Sequence, residues 1–478
     1  MDIVSTLGRE RGNENLLFGQ ALKVVNVGLD SFRQSLVDQG VGVVGVNWQP
    51  PLSGYIPLNE TADGLSIDAI NGRAVGKLKA SRPMLVGLAV ARDIVPKFSG
   101  KMLLHAGAPV GWRSMCGPMK GAIVGAILYE RWAITEADAL QLAASGDVRF
   151  EPCHHHDAVG PMAGVVSPSM PVFIVKNEPF GNLAFASVNE GLGKVLRYGA
   201  YSAEVIERLR WIEKILYGAL ARTIEKLGPI DLRTIISQAL HMGDEVHNRN
   251  RAATSLFIRS VAPALIEHCA KSEAISVLKF LDSNDHFFLN LSMAACKATL
   301  ASIENTPGCT LVTAMARNGV EFGIRVAAFG ERWFTAPAPR VNGLWFPGFS
   351  ESDANPDLGD SAITETLGLG GASMAAAPAI VRFIGGDVAL STQLTKEMAA
   401  ISVSEHEAIT IPSLDFRGSP LGIDLRKVME TAILPVINTG VAHREPGIGM
   451  IGAGIVRAPK ECFESAFAYG ASMFRAGT

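Results

Sequence analysis

The segment LKVVNVGLDSFRQSLVDQGVGVVGVNWQPP, residues 22–51, decides the expected fold class. Two apolar runs flank an amphipathic stretch, and Gly28 stands at the first turn, so the order strand, helix, strand is predicted. The apolar runs at 84–90 and 101–107 predict two more buried strands. We therefore expect the first part of the chain to form a mostly parallel α/β layer.

The periodicity of the sequence changes near residue 200. Apolar residues recur every three or four positions from Val205 to Leu227, which predicts a long amphipathic helix. Asp231 is expected to cap the next helix, and Asp244 the one after it. Short β-like runs and Gly/Pro turns return after about residue 305. The predicted fold class is α/β multidomain, with an N-terminal α/β domain (1–200), a central α-helical domain (201–305) and a C-terminal α/β domain (306–478).

Composition excludes several classes of protein. The 478 residues are 48% hydrophobic and 19% charged, which is typical of a compact α/β enzyme or enzyme subunit. Because 43 basic residues face 46 acidic ones and no basic run occurs, nucleic acid is not an expected partner. No secretory signal or membrane span is visible, and six cysteines without a CxxC pair read as reduced thiols. We expect a cytoplasmic protein that binds no membrane.

The run EPCHHHDAVGPMAG, residues 151–164, is a candidate site. Zinc ligands are usually separated by two or more residues, whereas His154, His155 and His156 in an extended chain point alternately to opposite faces. We therefore expect no metal. The preferred interpretation is that one histidine faces a pocket as a proton donor or anion ligand, and that the glycines of the loop expose N–H groups.

A second candidate lies at a predicted helix start, where Pro118 follows Cys116 in MCGPMKGAIVGA, residues 115–126. Arg113 and Lys120 would complete a phosphate or carboxylate cradle there, because free N–H groups and the helix dipole favour an anion. An equally open alternative is an ordinary helix start, with the arginine packed on a neighbouring tryptophan.

The third candidate is HMGDEVHNRN, residues 241–250, the densest polar stretch of the chain. It is not an HExxH zinc motif. Arg249 or Arg251 is expected to clamp a substrate carboxylate through paired N–H bonds, and a solvated turn is the alternative. Across these motifs, the predicted catalytic residues are His154, His155, His156 and His241, and the predicted substrate-binding residues are Arg113, Lys120, Asn248, Arg249 and Arg251. Farther along, Asp360 or Ser361 is expected to cap a short helix.

Together with DANPDLGDSAITE, residues 353–365, these motifs resemble the AllG-like family, the relatives of YlbE and YahG, over nearly the whole chain. The resemblance implies one subunit of an oxamate carbamoyltransferase, working beside an FdrA-like and an AllH-like subunit in allantoin and purine nitrogen catabolism. It implies the small anionic substrates carbamoyl phosphate, oxamate and phosphate, and no cofactor. A homo-oligomer is a further possibility.

The implied reaction converts oxamate and carbamoyl phosphate to oxalurate and phosphate. Its two anionic substrates need arginines and backbone N–H groups, and the shifting amide proton needs an acid or base. The sequence has no S-T-R-T phosphate loop of the aspartate- and ornithine-type enzymes. Two alternatives stay open: a scaffold or regulatory subunit that completes the FdrA-like partner, and a metal-dependent amidohydrolase acting on a ureido acid.

Overall fold

The structure is a computed structural model that describes residues 3–5, 16–17, 20–21, 24–46, 48–381 and 386–475. Most of residues 1–20, on which the expected absence of a secretory signal rests, lie outside these ranges. In the described ranges, no helix combines the length and the apolar character that crossing a membrane requires.

The N-terminal segment forms the predicted strand, helix and strand. Strands Val24–Val27 and Val43–Val46 run parallel, and helix Asp30–Asp38 connects them. Gly28 turns the chain into the helix with φ of 110°, a conformation that favours glycine. Strand Ile3–Ser5 adds an antiparallel edge. A separate hairpin pairs Leu16–Leu17 with Gln20–Ala21.

The largest sheet differs from the prediction. Its strands lie in the order Ile230–Asp231, Pro83–Val90, Pro171–Asn177, Leu183–Ser187 and Ala158–Val159, and only the last pair is parallel. The expected mostly parallel layer is therefore wrong for this sheet. Five of the seven residues of Pro171–Asn177 are buried, and its first five residues are apolar, so the strand has an apolar run whichever way its neighbours point.

A further parallel pair in the first part of the chain joins Met102–His105 to Arg149–Pro152. Between them lies the predicted helix Gly117–Tyr129, with Pro118 in its first turn. The remaining helices of the first part are Ile67–Ala80, Ala91–Ile94 and Glu136–Ser145.

Helices dominate the middle of the chain, as predicted. They are Ala203–Trp211, the π-turn Ile212–Leu216, Tyr217–Leu227, Leu232–His241, Arg251–His268, Lys271–Asp282 and Phe287–Ala301. Asp231 caps its helix by accepting from Thr234 N–H at 3.1 Å, so that prediction is confirmed. Phe257 and Phe287 share one hydrophobic core with Phe173 of the large sheet. The boundaries near residues 200 and 305 stay predictions.

The C-terminal part is α/β, as predicted. One antiparallel sheet contains Phe334–Pro337, Glu321–Val326, Val312–Asn318 and Leu358–Gly359. A second contains Asn342–Trp345, Met450–Arg457 and Val436–Ala442, and Ser402–Ile411 pairs with Arg417–Ile423. The helices are Ile363–Thr366, Val388–Ala400, Leu425–Thr431 and Lys460–Arg475. The chain is therefore an α/β multidomain protein.

Candidate functional site

The CHHH sequence forms a 3-10 turn, Cys153–His156, directly after strand Arg149–Pro152. The N–H of Asp157 donates to the carbonyl of Cys153 and closes the turn, and Asp157 has φ of 52°. The extended chain that we expected here is therefore wrong. Sequence spacing alone does not reveal such a turn, because it depends on this one backbone hydrogen bond.

The three histidine rings point to different partners. His154 Nε2 lies 3.6 Å from Asp360 Oδ1, and His155 Nε2 accepts from Trp333 Nε1 at 3.0 Å. His156 Nδ1 lies 2.6 Å from a backbone carbonyl. Because the rings diverge, they do not form a common ligand set. Across the described ranges, no group of three or more His, Cys, Asp or Glu side chains could hold a metal ion.

His154 and His156 are both buried, and the side chain of His154 has no exposed surface. Neither ring nitrogen has a hydrogen-bond partner among the described residues. Burial holds the pKa of His154 well below its usual value, and the positive charges of Lys297 and Arg325 act in the same direction. The ring is therefore neutral at pH 7, and its 3.6 Å contact with Asp360 is not an ion pair.

Asp360 lies between two glycine loops. Its carboxylate accepts from Gly107 N–H at 2.7 Å and from Gly160 N–H at 3.0 Å. The expectation that Asp360 or Ser361 caps a short helix is wrong, because neither Asp360–Ala362 nor Ile363–Thr366 has a side-chain cap. Burial raises the pKa of Asp360 to about 7. Gly107 has φ of 82°, and a Cβ there would lie 2.5 Å from Asn318 N. Only glycine lets this loop pack this closely against the backbone of strand Val312–Asn318.

Next to Asp360, Arg317 forms a buried ion pair with Asp357. Its Nε and Nη2 atoms donate to the two carboxylate oxygens at 2.7 and 3.1 Å, and Nη1 donates to Gly359 O at 2.8 Å. Thr439 Oγ1 donates to Asp357 Oδ1 at 3.0 Å. This bidentate geometry satisfies most of the polar atoms of the pair.

A second, largely buried ion pair lies near His154, whose carbonyl accepts from Arg325 Nη1 at 3.4 Å. Lys297 Nζ donates to Glu304 at 2.8 Å, and Arg325 Nη2 lies 3.6 Å from the same carboxylate. Burial alone would raise the pKa of Glu304, but the two cations outweigh it and hold the pKa below its usual value. Glu304 is therefore ionised at pH 7.

The helix junction 241–250 contains a buried carboxyl group, Glu245. Its Oε1 accepts from the N–H groups of Asn248 and Arg249 at 2.5 and 2.8 Å, and from Asn438 Nδ2 at 3.2 Å. Its Oε2 is buried and has no partner among the described residues. Burial raises the pKa of Glu245 to about 7. The group can therefore exchange a proton near neutral pH.

Two further contacts connect the junction to the C-terminal part. His247 Nδ1 lies 2.7 Å from Glu365 Oε1, which also accepts from Asn438 N–H at 3.2 Å. Asn438 precedes Thr439 in one strand, so the contacts continue to Asp357. We call this set the buried polar network; it comprises Glu245, His247, Glu365, Asn438, Thr439, Asp357, Arg317, Asp360 and His154.

The structure separates the two arginines of the junction. The side chain of Arg249 is 37% exposed, and its Nε lies 3.4 Å from Asp244. The side chain of Arg251 is 76% exposed, and its nearest acid, Asp285, is 3.8 Å away. Arg249 therefore has the more defined position next to the network. Asn250 and not Asp244 stands at the N-cap of helix Arg251–His268, but Asp244 Oδ2 accepts from Ala252 and Ala253 N–H in its first turn, so the carboxylate has the capping role that was expected.

Three other predicted residues lie elsewhere. Arg113 is exposed, and Lys120 Nζ donates to its carbonyl at 3.3 Å. His241 is exposed, and its Nε2 lies 2.8 Å from Thr410 Oγ1. No hydrogen bond within the described residues joins these side chains to the buried polar network. Their proposed roles in catalysis and anion binding stay predictions.

Sequence reasoning missed several buried charges. Lys297 could have been found, because it is the one charged residue in FFLNLSMAACKATL, residues 287–300. Arg197 is only 6% exposed, its Nη2 donates to Gly191 O at 2.7 Å, and its Nε has no partner among the described residues. It lines a small cavity with Pro161 and Gly164, so the glycine loop after the histidines does border a pocket.

A family model described as oxamate carbamoyltransferase subunit AllG matches residues 148–361. This range includes the histidine motif at 151–164, the helix junction at 241–250 and Asp360. An Escherichia coli K12 protein named oxamate carbamoyltransferase subunit AllG is 48% identical over 406 residues, 84% of this chain and 97% of that protein. The E. coli protein named uncharacterized protein YahG is 44% identical over 458 residues, 94% of this chain and 97% of its own length.

A solved structure is also similar to this chain. The crystal structure of a conserved protein of unknown function from Enterococcus faecalis V583 matches with a TM-score of 0.85 and 47% identity, covering 87% of this chain and all of that one. At this identity and coverage, the likeness extends to sequence and fold alike. The chain belongs to the AllG family.

Proposed function

We propose that this chain is a subunit of an oxamate-type carbamoyltransferase. The observation that carries the proposal is its 48% identity to the E. coli protein named oxamate carbamoyltransferase subunit AllG, over 97% of that protein's length. The family match at residues 148–361 contains His154, Glu245 and Asp360, so the buried carboxyl groups lie within the matched region.

The proposed reaction joins two anions. The amide nitrogen of oxamate attacks the carbonyl carbon of carbamoyl phosphate, a new C–N bond forms, and the C–O bond to phosphate breaks. One amide proton leaves the nitrogen and is taken up by the departing phosphate, which gives oxalurate and phosphate. The reverse direction splits oxalurate with phosphate. The chemistry therefore needs a proton carrier and clamps for carboxylate and phosphate.

Glu245 is the proposed proton carrier. Three donors fix its Oε1, its Oε2 has no partner in the described part of the chain, and its pKa of about 7 suits proton transfer in either direction. The side-chain amides of Asn248 and Asn438 are joined by a 3.0 Å hydrogen bond beside it. Amide groups of this kind match the amide and ureido groups of oxamate and oxalurate, since both can donate and accept.

Arg249 and Arg197 are the proposed anion ligands. Apart from the 3.4 Å contact of its Nε with Asp244, the guanidinium of Arg249 has no ion pair within the described residues. The Nε of Arg197 lies beside the 160–164 loop and has no hydrogen-bond partner among the residues that the structure describes. His154, neutral and without ring partners, would donate or accept a hydrogen bond at the edge of the same loop.

We further propose that the chain works in an assembly with an FdrA-like and an AllH-like subunit in the cytoplasm, in allantoin and purine nitrogen catabolism, without a cofactor. The 'subunit' in the name of its relative supports an assembly. A calorimetric titration of the lone chain with carbamoyl phosphate, phosphate and oxamate tests whether it holds substrate groups. Binding that weakens in Arg249→Lys supports a catalytic subunit. No binding of any of the three ligands would instead indicate a scaffold for its partners.

A further inference from the structure

A cavity of about 290 Å³ lies apart from the residues of the buried polar network. It is enclosed by the end of helix Ile67–Ala80, helix Leu232–His241 and strand Ser402–Ile411. Its walls include the apolar side chains of Leu78, Pro83, Ile236, Ala295, Leu367 and Ile409. Its polar groups are concentrated in a few residues, which define the ligand that it can accept.

Arg233 is the fixed cation of this cavity. Its Nη1 donates to the carbonyls of Ser81 and Lys79 at 3.1 and 3.4 Å, which holds the plane of the guanidinium. Within the described residues, no hydrogen bond or ion pair uses its Nε or Nη2. A guanidinium held in this way can donate its remaining N–H groups to a carboxylate with little further loss of side-chain freedom.

Lys79 is the second cation. Its Nζ lies 3.1 Å from Glu407, whose side chain is 78% exposed. A surface ion pair of this kind contributes little stability, so a ligand carboxylate can take the place of Glu407 at small cost. With Arg233, Lys79 and Glu407 charged, the cavity has a net positive charge that favours a monoanion.

His406 supplies a hydrogen-bond acceptor. Its Nε2 lies 2.8 Å from the carbonyl oxygen of Leu367, so this nitrogen carries the ring proton. Burial lowers the pKa of His406 to about 4, and the positive charges of Arg233 and Lys79 add to this effect. The ring is neutral at pH 7, and Nδ1 therefore has a lone pair for a donor group on the ligand.

We propose that this cavity binds a small monocarboxylate that also carries an N–H or O–H donor, with the carboxylate at Arg233 and Lys79 and the donor at His406. A water molecule occupies about 30 Å³ of liquid, so the cavity suits a ligand on the order of ten heavy atoms. The apolar walls accommodate the carbon atoms between the two polar ends. The site is independent of the proposed transferase function, because none of its lining residues belongs to the buried polar network.

The test is a calorimetric titration of the full chain with N-acetylglycine, which has a carboxylate, an amide N–H and a methyl group. N-acetylsarcosine serves as the comparison ligand, since an N-methyl group replaces the amide N–H and removes the donor. We expect one binding site in the parent, and binding weakened at least about tenfold in Arg233→Gln and in Lys79→Gln. Binding of N-acetylsarcosine should also be weaker, while the exposed control Lys460→Gln should bind like the parent.

The variant Glu245→Gln tests whether this cavity is independent of the buried polar network. Its binding of N-acetylglycine should equal that of the parent. Melting temperatures of all variants identify any that fail to fold, and the two ligands can still be compared on the parent protein alone. The proposal is overturned if the parent does not bind N-acetylglycine at millimolar concentration. Equal binding of the two ligands, binding unchanged in both cation variants, or binding lost in Glu245→Gln would each overturn it as well.

Discussion

Replacing Glu245 with glutamine should make the protein more stable at neutral pH and inactive in transfer. Glutamine keeps the oxygen that accepts from Asn248, Arg249 and Asn438, and it places an amide NH₂ where Oε2 lies. It removes the ionisation of a carboxyl group with no exposed surface. The parent and Glu245→Gln therefore differ mainly in whether the side chain of residue 245 can lose a buried proton.

The magnitude follows from the pKa. The carboxyl of Glu245 loses its proton near its usual value of 4.5 in the unfolded chain and at about 7 in the folded protein. Between these two values only the folded state holds the proton, so the parent loses stability as pH rises. A shift of this size corresponds to about 3 kcal/mol. The stability of Glu245→Gln relative to the parent should rise by about 3 kcal/mol from about pH 4.5 to about pH 8.

Denaturant unfolding at several pH values measures this difference. The matched control is Glu204→Gln, because the side chain of Glu204 is 81% exposed; its difference from the parent should stay within about 0.5 kcal/mol at every pH. In a transfer assay with the partner subunits, Glu245→Gln should be slower by at least about a hundredfold. A stability difference that does not change with pH would refute the raised pKa of Glu245. Full activity of Glu245→Gln would refute its role as proton carrier.

Three further predictions concern the junction and the histidines. Arg249→Lys should weaken oxamate or phosphate binding by about 2 to 4 kcal/mol in calorimetry, whereas Arg251→Lys should bind like the parent. Weaker binding in Arg251→Lys alone would show that Arg251, and not Arg249, binds the substrate anion. Asp244→Ala should lower the free energy of unfolding by about 1 to 2 kcal/mol, since it removes the cap of helix Arg251–His268, and an unchanged melting temperature would contradict this. Elemental analysis should find no stoichiometric zinc, and one zinc per chain that is lost in His155→Ala would contradict the divergent rings.

Local features of the fold could be predicted from the sequence. The strand, helix and strand of residues 24–46, the helix start at Pro118 and the cap at Asp231 each depend on residues within a few positions of one another. The direction of the strands in the large sheet could not be predicted. Strand Pro171–Asn177 has buried residues on both faces, although Lys176 is exposed, so its apolar run carries no information on whether its neighbours are parallel.

The candidate site was predictable only as separate motifs. The partners in the buried polar network are far apart in the chain: Arg317 and Asp357 are separated by 40 residues, and Glu245 and Asn438 by 193. A single sequence shows the polar residues of each motif but not which of them pair after folding. Arg113 illustrates this, because its motif predicted an anion cradle and the structure places its side chain at the surface.

Reconstituted carbamoyl transfer tests the central claim most directly. The chain is mixed with purified FdrA-like and AllH-like subunits, oxamate and carbamoyl phosphate are added, and oxalurate and phosphate are measured together. We predict that both products form in equal amounts in the complete mixture, and that they do not form when this chain is omitted or replaced by Glu245→Gln. Formation of oxalurate at the full rate without this chain, or no transfer by the complete mixture to any ureido-forming acceptor, would contradict the account.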